Sequence, residues 1–157
     1  MKTICVFSDS HGDSENMIRA VRAEDPDLVI HLGDGEGDLY RLERTFPDLP
    51  LEHIRGNCDW RSAAPRCLRT TVAGRRIFAV HGHEHEVKRD PSLRKLLYAA
   101  LEDDARIVLF GHTHTPVVRR ELGMDIMNPG SIGTGAAPTY GVIRIDGGRV
   151  TMELRRV

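Results

Sequence analysis

Five short apolar runs dictate most of what this chain can become. They are Thr3 to Phe7, Leu28 to Leu32, Leu51 to Ile54, Ile77 to Val80 and Ile107 to Phe110. Apolar, β-branched stretches of this length read as buried strands. Each run ends in residues able to bind a cation: Asp9-Ser10-His11, Gly33-Asp34, Gly56-Asn57-Cys58-Asp59, His81-Gly82-His83 and Gly111-His112-Thr113-His114. Open α/β sheets bind their ligands beyond the carboxyl ends of the strands. The Asp, Asn and His residues therefore stand where such a fold carries its chemistry.

The rest of the pattern completes an α/β protein. Ser14 to Ala23 places Met17, Ile18 and Val21 at helical spacing, with Asp13 or Ser14 to cap it. Asp38 to Phe46 and Pro91 to Leu101 read as two more helices, the second with Pro91 in its first turn. Strand–helix alternation in the first half argues for a parallel core sheet. The second half is β-rich: Pro116 to Leu122, Asp125 to Met127, Tyr140 to Ile145 and Val150 to Val157. Asp146-Gly147-Gly148 and Ala73-Gly74 suit hairpin turns. A mixed second sheet packed on the first follows. With 157 residues and no internal repeat or linker, one domain spanning 1–157 is expected.

Composition excludes several classes of function. A formal net charge of -1 gives no support for general nucleic-acid or membrane affinity. The longest apolar stretches are too short to span a bilayer. The amino terminus has no signal-peptide pattern. Three cysteines, Cys5, Cys58 and Cys67, lack regular spacing, which fits a reduced, cytoplasmic setting.

Metal binding is the chemistry that the strand ends share. In an extended segment, residues two apart face the same side, so Asp9 with His11, or His112 with His114, can approach one cation. A carboxylate at Asp34 can bridge two cations with its two oxygens. Asn57 offers a neutral oxygen, and Gly56 lets the backbone pass close. We read His81 as a ligand, His83 as a supporting group or substrate contact and His85 as solvated. His31 and His53 read as structural. The mixture of oxygen and nitrogen donors suits Mn²⁺, Fe, Zn²⁺ or Ni²⁺. Two cations about 3.5–4 Å apart can clamp a phosphoryl group.

Taken in order, the five motifs resemble those of the calcineurin-like metallophosphoesterases, and most of all the small bacterial and archaeal phosphodiesterase branch. Asn128-Pro129-Gly130-Ser131 also resembles a segment of that branch. The resemblance spans nearly the whole chain. It implies an α/β sandwich of two mixed β-sheets flanked by helices. It implies two divalent metal ions, Mn²⁺ first among the candidates. Asp9, His11, Asp34 and His114 would hold one, and Asp34, Asn57, His81 and His112 the other, with Asp34 as the bridge. A hydroxide between the metals would attack phosphorus, and Asp59 would orient neighbouring groups.

Two departures from the family pattern stand out. Many members carry His where this chain has Cys58; the small phosphodiesterase branch commonly shows this cysteine. A thiol is a poorer phosphate partner and acid, so a preference for diesters with good leaving groups over monoesters is expected. The second departure is Gly35-Glu36-Gly37-Asp38, whose acid falls one place later than the family's Gly-Asp-x-x-Asp. The expected function is hydrolysis of a small or nucleotide-like phosphodiester, with homo-oligomerisation as a further implication of the resemblance. The alternatives are a protein-binding scaffold on the same fold, like the retromer scaffold subunit, and a nuclease or RNA-processing enzyme. A competent residue at every ligand position argues against the scaffold, and the lack of a basic stripe argues against the nuclease.

Overall fold

The computed structural model describes residues 1–133 and 135–157. Its elements are β1 (Lys2–Phe7), α1 (Glu15–Glu24), β2 (Leu28–His31), α2 (Glu36–Thr45), β3 (Leu51–His53), β4 (Cys67–Val72), β5 (Arg75–Val80), α3 (Arg94–Glu102), β6 (Ile107–Leu109), β7 (Val117–Glu121), β8 (Met124–Asn128), β9 (Thr139–Asp146) and β10 (Arg149–Arg156). Two mixed five-stranded sheets form, in the orders β10-β9-β1-β2-β3 and β4-β5-β6-β8-β7. In the first, β1, β2 and β3 run parallel, and β9 and β10 join antiparallel. In the second, β5, β6 and β8 run parallel between antiparallel β4 and β7. The strand–helix alternation of the sequence thus produces a parallel core in each sheet.

Alternation along each strand sorts the side chains into layers. Ile4 and Val6 of β1, with Ile30 of β2, face Ile77, Ala79, Ile107 and Leu109 of the second sheet. Cys5, Phe7 and Val29 point the other way, onto Met17, Ile18 and Val21 of α1 and Leu39 and Leu42 of α2. On the opposite surface, Phe78, Val80, Val108 and Phe110 pack against Leu96, Leu97 and Ala100 of α3. Among the described residues, no helix is long and apolar enough to cross a membrane.

Both expected hairpins form. Ala73 and Gly74 have φ of 48° and 78°, and Gly147 and Gly148 have φ of 54° and 89°. Two successive positive φ angles give a turn whose twist matches that of paired strands. Two helix starts differ from the sequence expectation. α3 begins at Arg94, not Pro91, because the Asp90 carboxylate accepts from the N–H groups of Ser92 (3.0 Å) and Arg94 (3.2 Å), and Leu93 turns left-handed (φ 57°). α2 begins at Glu36, two residues before Asp38. Its opening N–H groups find an acceptor far away in sequence, described below.

Candidate metal centre

The loops that follow β1, β2, β3, β5 and β6 meet at one end of the sandwich. Asp9, Asp34 and His81 lie buried there, at 0%, 3% and 1% exposure. His112 is half-buried, while His11, Asn57, Cys58 and His114 are exposed. The gradient leaves one side of the cluster open to solvent.

Close approach of these loops needs two glycines. A Cβ on Gly33 would lie 2.5 Å from the Gly56 nitrogen, and one on Gly56 would run into the Asp34 carboxylate. Neither position can carry a side chain without the loops separating.

The backbone at the candidate ligands is left-handed, which corrects the extended geometry expected from the two-residue spacing. Asp9, His11, Asp34, His112 and His114 have φ of 55°, 42°, 60°, 68° and 60°. Such conformations are uncommon outside glycine and cluster at functional sites. A second consequence contradicts the spacing argument: the two histidines of His112-Thr113-His114 part company. Donor atoms of Asp9, His11 and His114 gather within 4.8 Å of one another, and those of Asp34, His81 and His112 form another such group. A third, His11, Asp34 and Cys58, joins the two.

Each carboxylate is anchored by one oxygen and offers the other. Asp9 Oδ2 accepts from Ser8 Oγ (2.5 Å) and from the His112 N–H (3.1 Å). Its Oδ1 faces Nε2 of His114 (3.1 Å), His11 (3.6 Å) and His81 (3.8 Å). Asp34 Oδ1 accepts from the Cys58 N–H (2.8 Å), and Oδ2 faces Nε2 of His81 (3.2 Å) and His11 (3.9 Å). Asp34 Oδ2 is therefore the oxygen turned toward the imidazoles.

His81 shows what this arrangement lacks. Its Nδ1 lies 2.8 Å from the Leu32 carbonyl, which can only accept, so Nδ1 carries the proton. Nε2 then presents a lone pair to the oxygens of Asp34 and Asp9. It is buried and has no hydrogen-bond partner. Lone pairs facing one another in the interior call for a positive charge between them, either an Nε2 proton or a metal cation. Burial lowers the His81 pKa, but the Asp34 and Asp9 carboxylates outweigh it and the net direction is up. For Asp34, burial is outweighed by the His81 ring and the Cys58 N–H, and its carboxyl falls well below the usual range. No Lys or Arg forms a salt bridge with Asp9 or Asp34 among the described residues. The donor set therefore fits divalent cations: buried anionic oxygens, several imidazoles, that of His81 with its tautomer fixed, and an exposed flank.

Supporting groups fix the loops. Asp59 accepts from four backbone N–H groups: Asp34 (2.7 Å), Gly56 (2.8 Å), Gly35 (3.1 Å) and Glu36 (3.2 Å). It caps α2 from across the cleft, which explains the early helix start. Burial opposes its ionisation, yet these N–H groups hold its pKa low. Asp38 accepts from Ser10 Oγ (2.6 Å) and the Gly12 N–H (3.0 Å), which settles the place of that acid. Ser10 Oγ also meets Nε2 of His31 (3.0 Å), whose Nδ1 accepts from the Gly33 N–H (3.1 Å). One chain of hydrogen bonds thus ties the Asp9 loop to the Asp34 loop. Ser131 Oγ donates to the Asp9 carbonyl (2.8 Å), and Asn128 Nδ2 to Gly111 O (3.1 Å) and Thr113 Oγ1 (2.9 Å). The Asn128–Ser131 segment braces two of the loops.

The remaining candidates are placed less firmly. The Asn57 amide lies 3.6 Å from Cys58 Sγ. His83 sits on a short 3-10 turn, His83–His85, with its ring 5.5 Å from that of His81 and 6.0 Å from that of His112. Burial, then His81, lower its pKa. His85 is not simply solvated: it is half-buried and meets Phe78 edge-on at 6.3 Å. Ser8, Ser10, His31 and Asp38 went unassigned to the site in the sequence. The available signals were that Ser8 and Ser10 flank Asp9 and that Asp38 stands one place beyond the family's second acid.

Comparison with known proteins agrees with this geometry. Residues 1–148 match the model of the calcineurin-like phosphoesterase superfamily domain. The probable metallophosphoesterase YsnB of Bacillus subtilis is 35% identical over 132 residues, covering 82% of this chain and 74% of the relative. A probable metallophosphoesterase of Methanothermobacter thermautotrophicus is 32% identical over 138 residues, covering 84% and 77%. Among solved structures, a conserved protein of Streptococcus pneumoniae described as a predicted phosphoesterase superposes with a TM-score of 0.79 at 32% identity, covering 99% of this chain and 89% of that one. Vps29 of Entamoeba histolytica, at 20% identity and a TM-score of 0.77 over 99% of both chains, shares the fold. On motif, fold and sequence alike, this chain belongs to the calcineurin-like phosphoesterase superfamily.

Proposed function

We propose that this protein is a phosphodiesterase that uses two divalent cations, Mn²⁺ first among them, to hydrolyse small or nucleotide-like phosphodiesters. The observation that carries this reading is the pair of donor clusters linked through His11 and Asp34, with His81 Nε2 facing carboxylate oxygens. Asp9, His11, Asp34 and His114 would hold one cation, and Asp34, Asn57, His81 and His112 the other. When bound, such a pair neutralises phosphoryl oxygens and activates water near pH 7.

The chain's own residues do the positioning. Asp59 holds the Asp34 and Asn57 loops in register through its four N–H bonds. His83, on the rim, can donate to a phosphoryl oxygen. In the metal-free protein, burial, then the Asp34 carboxylate, raise the Cys58 pKa and keep the thiol neutral. A neutral thiol is also a weak acid for an unactivated leaving group, which favours diesters with good leaving groups.

The test compares bis(p-nitrophenyl) phosphate with p-nitrophenyl phosphate on protein stripped of metal and reloaded with Mn²⁺. Metal-dependent cleavage, mainly of the diester, is expected. Cleavage mainly of the monoester would refute the diester preference. Inactivity with Mn²⁺, Ni²⁺ and Zn²⁺ would shift the weight to a protein-binding scaffold. Cys58→His should lower the diester-to-monoester ratio by roughly 100-fold, the low end for a positioned general acid; an unchanged ratio removes Cys58 from that role.

A further inference from the structure

Trp60 is the chain's single tryptophan and stands 86% exposed. A large aromatic left in water beside a cleft marks a binding surface more often than a core residue does. Trp60 follows Asp59 in the middle of the β3–β4 loop, which also carries Asn57 and Cys58. With Arg55, Asn57, Arg66 and His83 it lines an open cavity of about 430 Å³ next to the metal centre. That volume lies within the range for small organic ligands.

The platform has a rigid base and an uncovered face. Asp59 fixes the loop through its bonds to Gly56, Asp34, Gly35 and Glu36. The Asp59 carbonyl accepts from the Ser62 N–H (3.2 Å), and the Ser62 carbonyl accepts from Arg55 Nη1 (3.2 Å). Arg55 is thereby held at the cavity wall. Arg66 is exposed and, among the described residues, pairs with Glu84 alone, at 3.3 Å. Exposed pairs of this kind are weak and readily exchanged for a ligand's oxygens.

We infer that this cavity is a subsite for a nucleobase, which stacks on Trp60 while Arg55 and Arg66 face its sugar and phosphate oxygens. The inference rests on the phosphodiesterase reading of the adjacent centre and names the group carried by the diester. Asn57 and His83 border both sites, so a phosphate held at the centre would place its esterified group in this cavity. A flat aromatic face accepts any base, so the subsite selects for a base without reading which one.

Because Trp60 is the only tryptophan, its fluorescence reports on this cavity alone. The experiment titrates Mn²⁺-loaded protein with adenosine 5′-monophosphate and, in parallel, with ribose 5-phosphate. Saturable quenching by the nucleotide, absent with the sugar phosphate, is the expected result. No response to the nucleotide, or an equal response to both, overturns the inference. In the second arm, Trp60→Leu should raise KM for thymidine 5′-p-nitrophenyl phosphate roughly 5- to 100-fold, the range for stacking one base, with the rise confined to KM, and Trp60→Phe should recover most of it. An unchanged KM also overturns it. Fluorescence does not depend on turnover, so the two readings fail separately. Quenching without any hydrolysis would sink the diesterase reading and leave the base subsite; hydrolysis without quenching would do the reverse.

Discussion

The loops of the two sheets build the centre from different chemistry. The first sheet, through the loops after β1, β2 and β3, brings both carboxylates, one imidazole and the Asn57 amide. The second, through the loops after β5 and β6, brings imidazoles alone: His81, His112 and His114. The acids are each pinned at one oxygen from within the first sheet's loops, Asp9 by Ser8 and Asp34 by the Cys58 N–H. The His81 ring is pinned from the other sheet, by the Leu32 carbonyl. Of the second sheet's imidazoles, His81 thus takes its tautomer from the first sheet. The centre exists only when the sheets have packed, so cation binding and sheet packing are linked.

The largest expected effect follows from Asp34, which like Asp9 faces histidines of both sheets and which would be shared by the two cations. Asp34→Asn keeps an oxygen for the Cys58 N–H but turns amide donors toward His81 and His11. Diester hydrolysis should fall on the order of 1000-fold or more, since even supporting groups around a metal cost 10–100-fold. His114→Ala removes one exposed imidazole and should cost only roughly 10–100-fold. Equal losses in kcat/KM for the two variants would erase the distinction between the sheets.

The next effect tests the rigidity of the first sheet's loops through pH. His31 is fully buried and neutral; its pKa falls from 6.5 to about 4, chiefly through burial. The Gly33 N–H occupies Nδ1, so a second proton has no room there. Below pH 6.5 the unfolded chain binds a proton that the folded one refuses. Stability of the metal-free protein should therefore fall by about 3 kcal/mol between pH 6.5 and 4 from this residue alone. Urea titrations across that window check the slope, and His31→Gln should flatten it. A slope identical in the variant would show that another group carries the dependence.

The smallest effect addresses the linkage between sheets. At 100 times its dissociation constant, Mn²⁺ should add about 2.7 kcal/mol to stability. For a chain of this size that raises the thermal midpoint by roughly 5–10 °C. Calorimetry of stripped and reloaded protein reads the shift directly. A midpoint insensitive to Mn²⁺ would mean that the cations, if held at all, do not join the sheets.

Much of this was legible in the sequence, and the reasons are local. Strand ends could be read because β-branched runs stop abruptly at Asp9, Asp34, His81 and His112. Hairpins could be read because Ala73-Gly74 and Gly147-Gly148 announce their own backbone. The α2 start was hidden because its acceptor, Asp59, lies 23 to 25 positions downstream of the N–H groups it holds. The Ser10–His31–Asp38 chain was hidden for the same reason, since its partners are 21 and 28 positions apart. The backbone of the ligand loops was hidden because left-handed Asp and His carry no mark in the sequence. Spacing alone therefore assigned His112 and His114 to one cation, where packing divides them.

Asp9 and His114 meet across 105 positions of chain, and Ser131 closes on the Asp9 carbonyl from 122 positions away. That separation imposes an order in time. A chain emerging residue by residue from the ribosome has its first carboxylate exposed long before the histidines that face it exist. Any cation retained between Asp9 and His114 can be taken up only after β6 has been made and the second sheet has closed over the first. Loading with metal is then a late event in the life of each new molecule, and a natural checkpoint for whether it has folded at all.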